Sequence, residues 1–250
     1  MLTTSSIREK FVQLYSEMNT VSNNREGSMT NIVGNKVIEL VGISFLANED
    51  IIFGKQNHDY VEREKQWYLG KDRNINSFPG GAPEVWKTIA SKNGEINSNY
   101  GWCLFSHENN NQYENVLQEL LRNPQSRRAI AIYTRPTIWS EYDRDGMSDF
   151  ICTNAVQYFI RDDKLHCVVQ MRSNDAVIGY KNDYHWQLYV LESLYSDLHL
   201  HFDGLQFGDI IWQVGSLHVY ERDFYLVDGF KRTGKQLTKK EYSRLISESK

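Results

Sequence analysis

The chain has 250 residues, 40% of them apolar and 13% aromatic, with a formal net charge of −4. That length supports one large domain with a real core, or two small ones. The acidic balance argues against a general nucleic-acid surface, which needs concentrated positive charge, but leaves room for a small anion held by a few local arginines. Three cysteines are too few for a disulfide framework and point to a reducing compartment. The opening stretch MLTTSSIREKF has no apolar signal core, and no apolar run is long enough to span a bilayer. The expectation is a soluble, cytoplasmic protein.

Residues 7–18 place Ile7, Phe11, Leu14, Tyr15 and Met18 on one helical stripe. Residues 20–35, rich in Asn, Ser and Gly, read as an exposed loop, and KVIELVGISFL (36–46) reads as a strand. YVEREKQWYLG (60–70) predicts a helix ended by Gly70, followed by loop over 71–83. QYENVLQELLRN (112–123) predicts a helix closed by Pro124, and RRAIAIY (127–133) a buried strand. TNAVQYFI (153–160) and KLHCVVQM (164–171) flank the polar pair Asp162-Asp163 and read as a hairpin. Residues 183–200 predict a long central helix, and 208–220 a late strand. Thr238 and Glu241 form a capping box for a C-terminal helix. Strands and helices mix without regular alternation, which gives one α+β domain over 1–250.

Common site signatures are missing. There is no P-loop and no dinucleotide fingerprint. FPGGAP is a turn, and the Cys and His residues do not fall at zinc spacing. Cys152 opens the hairpin. Taken alone it is a buried core thiol or a nucleophile, since free cysteine is among the most buried residue types. Its surroundings favour chemistry. Arg172 on the partner strand is placed to approach it, and nearby cations favour the thiolate. Arg127 and Arg128 are adjacent on the predicted strand, so they would face opposite sides, which is awkward for a core. An arginine fork suits phosphate, although a routine salt bridge is the alternative.

The segments GEINSNYGW, NPQSRRAIAIYTRP, DGMSDFICTNAVQY, MRSNDAVIGYKNDYHW and GSLHVY occur in an order that resembles the thymidylate synthase superfamily. Within it the chain is similar to the bacteriophage branch that hydroxymethylates deoxycytidylate. The resemblance implies a mixed β-sheet with flanking helices, packed sheet to sheet across a homodimer interface. It implies that Cys152 adds to C6 of the pyrimidine. Arg172 and Ser173 would hold the 5′-phosphate, with Arg127 and Arg128 reaching in from the other subunit. His218 and Tyr220 would bind the 3′-hydroxyl. Asp175 would contact folate, Gly179 would pack its backbone near the base, and Trp86 and Asn99 would line the same cavity. Glu64 would organise water and proton transfer, and Tyr100 would stand near the sulfur.

The chemistry explains why such residues are needed. Pyrimidine C5 is a poor nucleophile, and thiolate addition at C6 makes it enamine-like, splitting one difficult step into two. The one-carbon donor implied by the resemblance is 5,10-methylenetetrahydrofolate. Loss of the C5 proton and of the folate leaves an exocyclic methylene, which takes hydride to become methyl or water to become hydroxymethyl. Asp183 aligns with a synthase asparagine that matches uracil N3–H and O4. Cytosine reverses that pattern, and a carboxyl sharing one proton with N3 serves both of its atoms. A misplaced donor pair in a dry site costs several kcal/mol, so discrimination of about 10³-fold is reasonable. Read without the motif, Asp183 would be the N-cap of the helix over 184–200.

Five departures separate the chain from the synthases. Thr153 stands where they have His after the cysteine, and Met171 where they have Gln before the arginine. NIVGNK lacks their early arginine, which Arg25 or Lys36 would have to replace. Ile89 stands in place of a second Trp after Trp86, and SRLISESK does not resemble their folate-closing tail. All five suit a site that admits water. In a phage such an enzyme would supply modified cytosine for DNA. The alternatives are a nucleotide C5-methyltransferase, a hydroxymethylase acting on CMP, and a non-catalytic nucleotide-binding protein.

Overall fold

A computed structural model describes residues 1–17, 21–22 and 36–248. Met18, Arg25 and most of the expected 20–35 loop lie outside the described residues. In chain order the elements are β1 (Leu2–Thr3), α1 (Thr4–Ser16), β2 (Val21–Ser22), β3 (Lys36–Leu46), α2 (His58–Leu69), α3 (Glu84–Ile89), α4 (Tyr100–Phe105) and α5 (Gln112–Arg122). They continue with β4 (Ile130–Ile132), α6 (Ile138–Glu141), β5 (Thr153–Arg161), β6 (Lys164–Asp175), α7 (Gly179–His199), β7 (Gln206–Tyr220), α8 (Phe224–Thr233) and α9 (Lys239–Glu248). Among the described residues seven strands form a sheet in the order β1-β3-β7-β6-β5-β4, with β2 paired to β3. The β1–β3 pair is parallel, whereas β2–β3, β4–β5 and β5–β6 are antiparallel. The sheet is therefore mixed, as the α+β reading requires. Among the described residues no helix is long and apolar enough to cross a membrane.

The backbone divides into two compact units, each built from segments distant in sequence. One comprises Met1–Gln56, Ser173–His185 and Trp212–Lys250. Here α1 starts earlier than its apolar stripe implied, because Thr3 and Ser6 cap it reciprocally. Ile7 and Phe11 are fully buried, and Phe11 meets Phe53 edge to face at 5.9 Å. The capping box before α9 is present: Thr238 N–H donates to Glu241 Oε2 at 2.6 Å, and Glu241 N–H to Thr238 Oγ1 at 3.2 Å.

The other unit comprises Asn57–Arg172 and Trp186–Ile211. Its core is aromatic. Tyr68 packs on Trp186 at 5.0 Å and Tyr100 on Tyr133 at 5.4 Å, while the Trp186 indole donates to Tyr133 Oη at 3.3 Å. Helix α4 passes so close to the end of α2 that only glycine fits at 101. A Cβ there would stand 1.7 Å from the Tyr68 carbonyl oxygen. The β5–β6 hairpin turns on Asp162 and Asp163, at φ 50° and 56°. Both signs match the two-residue turn whose twist suits antiparallel strands.

Three expectations need correction. The strand predicted over 127–133 is shorter, and Arg127 and Arg128 precede it in a loop. The argument that they point to opposite faces of a strand therefore does not apply. Helix α7 begins at Gly179, so Asp183 lies inside it and is not its N-cap. The early turn is held instead by Asp175, whose Oδ1 accepts from the N–H of Val177 at 2.7 Å and of Ile178 at 3.3 Å. Helices α3, α4, α6 and α8 were not anticipated. The first three are four to six residues long, too short for periodicity to show.

Replacement of Gly101 by alanine is expected to lower stability by about 3 kcal/mol or more, because backbone stands where the methyl must go. Denaturant unfolding of Gly101→Ala against the wild type measures it.

Candidate active site

Cys152 is half-buried at the mouth of β5. A register irregularity between Thr153 and Ala155 follows it at once, the kind of local break that re-aims a side chain. Arg172 reaches it from β6. Its backbone N–H donates to the Cys152 carbonyl at 2.9 Å, and its Nη2 lies 3.5 Å from Sγ. The same guanidinium donates from Nε to the Ile151 carbonyl at 3.0 Å and from Nη2 to the Phe150 carbonyl. It also covers the Phe150 ring, 4.9 Å from its centroid. The other two thiols differ. Cys103 and Cys167 are fully buried, and burial pushes Cys103 up to about 12 and Cys167 higher still. They are the inert core sulfurs that the sequence also allowed at 152.

The chain just before Cys152 is anchored by Asp149, which sequence reasoning did not single out. Its buried carboxylate accepts from Asn97 N–H at 2.6 Å, Ser98 N–H at 2.7 Å and Ser98 Oγ at 2.6 Å. Burial raises its pKa, and these donors oppose the rise. Thr153 and Met171 are paired in the ladder and touch, with Thr153 Oγ1 donating to Met171 Sδ at 3.2 Å. Two of the five departures from the synthase pattern are thus one contact.

Glu64 is buried on α2. Tyr60 Oη donates to its Oε1 at 2.5 Å and the Trp86 indole at 3.3 Å. Burial pushes its pKa up to about 7, although both hydrogen bonds pull it down. A carboxyl poised there can hold or release a proton near neutrality. Trp86, 9% exposed, also donates to Tyr60 Oη at 3.1 Å, so its N–H supports this acid and only its ring remains to meet a ligand. Asn99 is fully buried as the N-cap of α4, with Oδ1 accepting from Trp102 N–H and Nδ2 donating to the Trp67 and Asp72 carbonyls. Its side chain is committed to these backbone groups. Tyr100 packs its ring between Tyr68 and Tyr133. Arg127 and Arg128 are exposed, and Arg128 pairs with Glu119 at 3.1 Å. Ser126, Arg122 and Arg128 together hold that glutamate down at about 2.

The first unit holds the remaining candidates. Asp175 caps the turn before α7 and lies 3.5 Å from Arg222 through Oδ2, which leaves little of it uncommitted. Ser173 is half-buried beside Arg172 in the chain. His218 and Tyr220 meet edge to face at 4.8 Å. Ser216 stands behind His218, 3.3 Å from Nδ1, and donates to Glu39. That support was not foreseen. Asp183 accepts through Oδ2 from Asn174 Nδ2 at 2.7 Å. Gly179 makes this possible, since a Cβ there would come within 3.0 Å of Asn174 Nδ2.

Within one unit, a thiol beside a guanidinium and a buried acid near neutrality are groups suited to covalent and proton-transfer chemistry; within the other, a carboxyl is held by an amide. The thymidylate synthase family model matches residues 45–245, and the chain belongs to that family. The deoxycytidylate 5-hydroxymethyltransferases of Enterobacteria phages T4 and T2 are each 53% identical to it, over 84% of this chain and 86% and 87% of theirs. The thymidylate synthase of Bacillus subtilis subsp. natto is 29% identical over 62% of this chain and 54% of its own. A solved thermostable thymidylate synthase A from Bacillus subtilis superposes with a TM-score of 0.66, covering 92% of this chain and 85% of that one. At 19% identity this last likeness shows the fold.

Burial of Glu64 has a measurable consequence. The folded protein keeps a proton that the unfolded chain releases between the ordinary glutamate range and about 7. Stability therefore falls as pH rises through that window, and the penalty is complete above it. Glu64→Gln removes the penalty. Relative to the wild type, the variant is expected to gain about 1–3 kcal/mol on going from about pH 5 to about pH 8, checked by denaturant titration at both.

Proposed function

We propose that the protein is a folate-dependent one-carbon transferase that converts dCMP, 5,10-methylenetetrahydrofolate and water to 5-hydroxymethyl-dCMP and tetrahydrofolate. The observation that carries this reading is the 53% identity to phage deoxycytidylate 5-hydroxymethyltransferases over 84% of the chain. The Cys152–Arg172 pair supports it independently. The chain acts as one catalytic domain, within a homodimer that exchanges Arg127 and Arg128 between subunits.

Cys152 attacks C6 as the thiolate, and the cation that favours that form is the guanidinium 3.5 Å away. Arg172, Ser173 and the partner's two arginines hold the 5′-phosphate. Arg172 still has donors beyond those given to the 150 and 151 carbonyls, because a guanidinium carries five N–H groups. The exposure of Arg127 and Arg128 suits a role outside their own subunit. His218, backed by Ser216, and Tyr220 take the 3′-hydroxyl. Asp183 reads the cytosine edge, and Tyr100 closes the aromatic wall by the sulfur.

Methylenetetrahydrofolate supplies the one-carbon unit when bound. Gly179, Asp175 and the Trp86 ring are the groups that would hold it, Trp86 through its ring face and Asp175 through the Oδ2 that also faces Arg222. Glu64 can position the water that adds to the exocyclic carbon, because it holds a proton near neutrality and releases it easily.

Incubation with dCMP, CMP or dUMP plus methylenetetrahydrofolate tests the reading by product mass. The expected product is dCMP plus CH2O, with tetrahydrofolate released. A product heavier by CH2 only, with dihydrofolate, would make the protein a methyltransferase, and a faster reaction with CMP would move the substrate to the ribonucleotide. Cys152→Ser is expected to abolish tritium release from C5 of dCMP. Tritium release from neither protein would favour a binding protein. Asp183→Asn is expected to shift the preference from cytosine toward uracil by about 10³-fold in kcat/KM.

A further inference from the structure

Asn174 lies near the end of β6 and is 3% exposed. Its amide is engaged at both ends. The indole N–H of Trp212, a residue with no exposed surface, donates to Oδ1 at 3.2 Å, and Nδ2 donates to Asp183 Oδ2 at 2.7 Å. Indole nitrogen donates and never accepts. Turning the amide over would set two N–H groups against each other in a buried site and leave both unpaired. Trp212 therefore decides which way Asn174 points, and Asn174 decides that Oδ2 of Asp183 receives a hydrogen bond. All three residues belong to one compact unit.

We propose that Asn174, locked by Trp212, sets the tautomer of Asp183 and thereby the choice of cytosine over uracil. The inference deepens the reading of Asp183 as the base-recognising acid and rests on it. A neutral carboxyl has two tautomers. A proton on Oδ2 would weaken the acceptor that Asn174 is aimed at, so the proton belongs on Oδ1. With Oδ1 taken to face N3 and Oδ2 to face the exocyclic group, the acid donates to cytosine N3 and accepts from the N4 amino group. The opposite tautomer would accept from N3–H and donate to O4, which is the pattern of uracil. Asn174 withdraws that second form. It acts through Asp183 and is a positioning residue.

Binding of dCMP and dUMP by titration calorimetry tests this in the wild type, Asn174→Ala, Trp212→Phe and Asp183→Asn, each with a thermal melt. Asn174→Ala is expected to lower the ratio of dCMP to dUMP affinity about 3- to 10-fold, the worth of one hydrogen bond between neutral groups. Trp212→Phe keeps most of the ring volume but frees the amide to turn, so a smaller fall in the same direction is expected. A role in packing alone would weaken both nucleotides together and leave the ratio unchanged. If Asn174→Ala does not fold, Trp212→Phe alone decides. A ratio within about twofold of wild type in the folded variants overturns the proposal, provided Asp183→Asn still changes the preference. If Asp183→Asn changes nothing, the reading of Asp183 fails, and this inference fails with it.

Discussion

One guanidinium organises the chain around the thiol at 152. From its place on β6, Arg172 fixes the carbonyls of Phe150 and Ile151, donates its own backbone N–H to Cys152, and sets its charge beside Sγ. Three consecutive residues in front of β5 are thus held by a single side chain of the neighbouring strand. The turn alone would set 172 opposite 153, and the irregularity between Thr153 and Ala155 shifts the register by one, so that 172 comes opposite 152. Asp149 clamps the other end of the same short segment to the loop before α4. The sulfur is therefore placed by backbone that is tied on both sides, a rigidity that suits the covalent role proposed for it.

Three acids are treated in three ways. Asp149 is surrounded by donors and serves as an anchor. Glu64 has two donors and a deep setting, and its proton sits near neutrality. Asp183 has one oxygen committed to Asn174. Burial and donor direction, rather than residue type, separate their roles. The same economy appears among the thiols, where Cys103 and Cys167 are sealed in apolar core while Cys152 stands half-buried beside a cation.

The hairpin was legible in the sequence because alternation of period two and a polar turn pair are local signals. The strand over 36–46 and the capping box at Thr238 were legible for the same reason. Arg127 and Arg128 were misplaced because the apolar run IAI begins only at 130, and Ser126 and Glu119 hold the preceding loop. Asp183 looked like a cap because the helical pattern was read only from 183 onward, whereas the helix opens at Gly179, which leaves room for Asn174. The motifs picked out the candidate residues, but not what holds them. Trp212 and Asn174 are 38 positions apart, and Asn97 and Asp149 are 52 apart. No local pattern relates such pairs, and only the folded chain brings them together.

The central claim is a transient bond between Cys152 and the nucleotide ring. It is tested most directly with 5-fluoro-dCMP and methylenetetrahydrofolate, since fluorine at C5 cannot leave as a proton does and the adduct should persist. After denaturation and proteolysis, mass spectrometry is predicted to find the nucleotide and folate on the peptide carrying Cys152, at one equivalent per chain. An unmodified Cys152 peptide, or label on Cys103 or Cys167, would contradict the account.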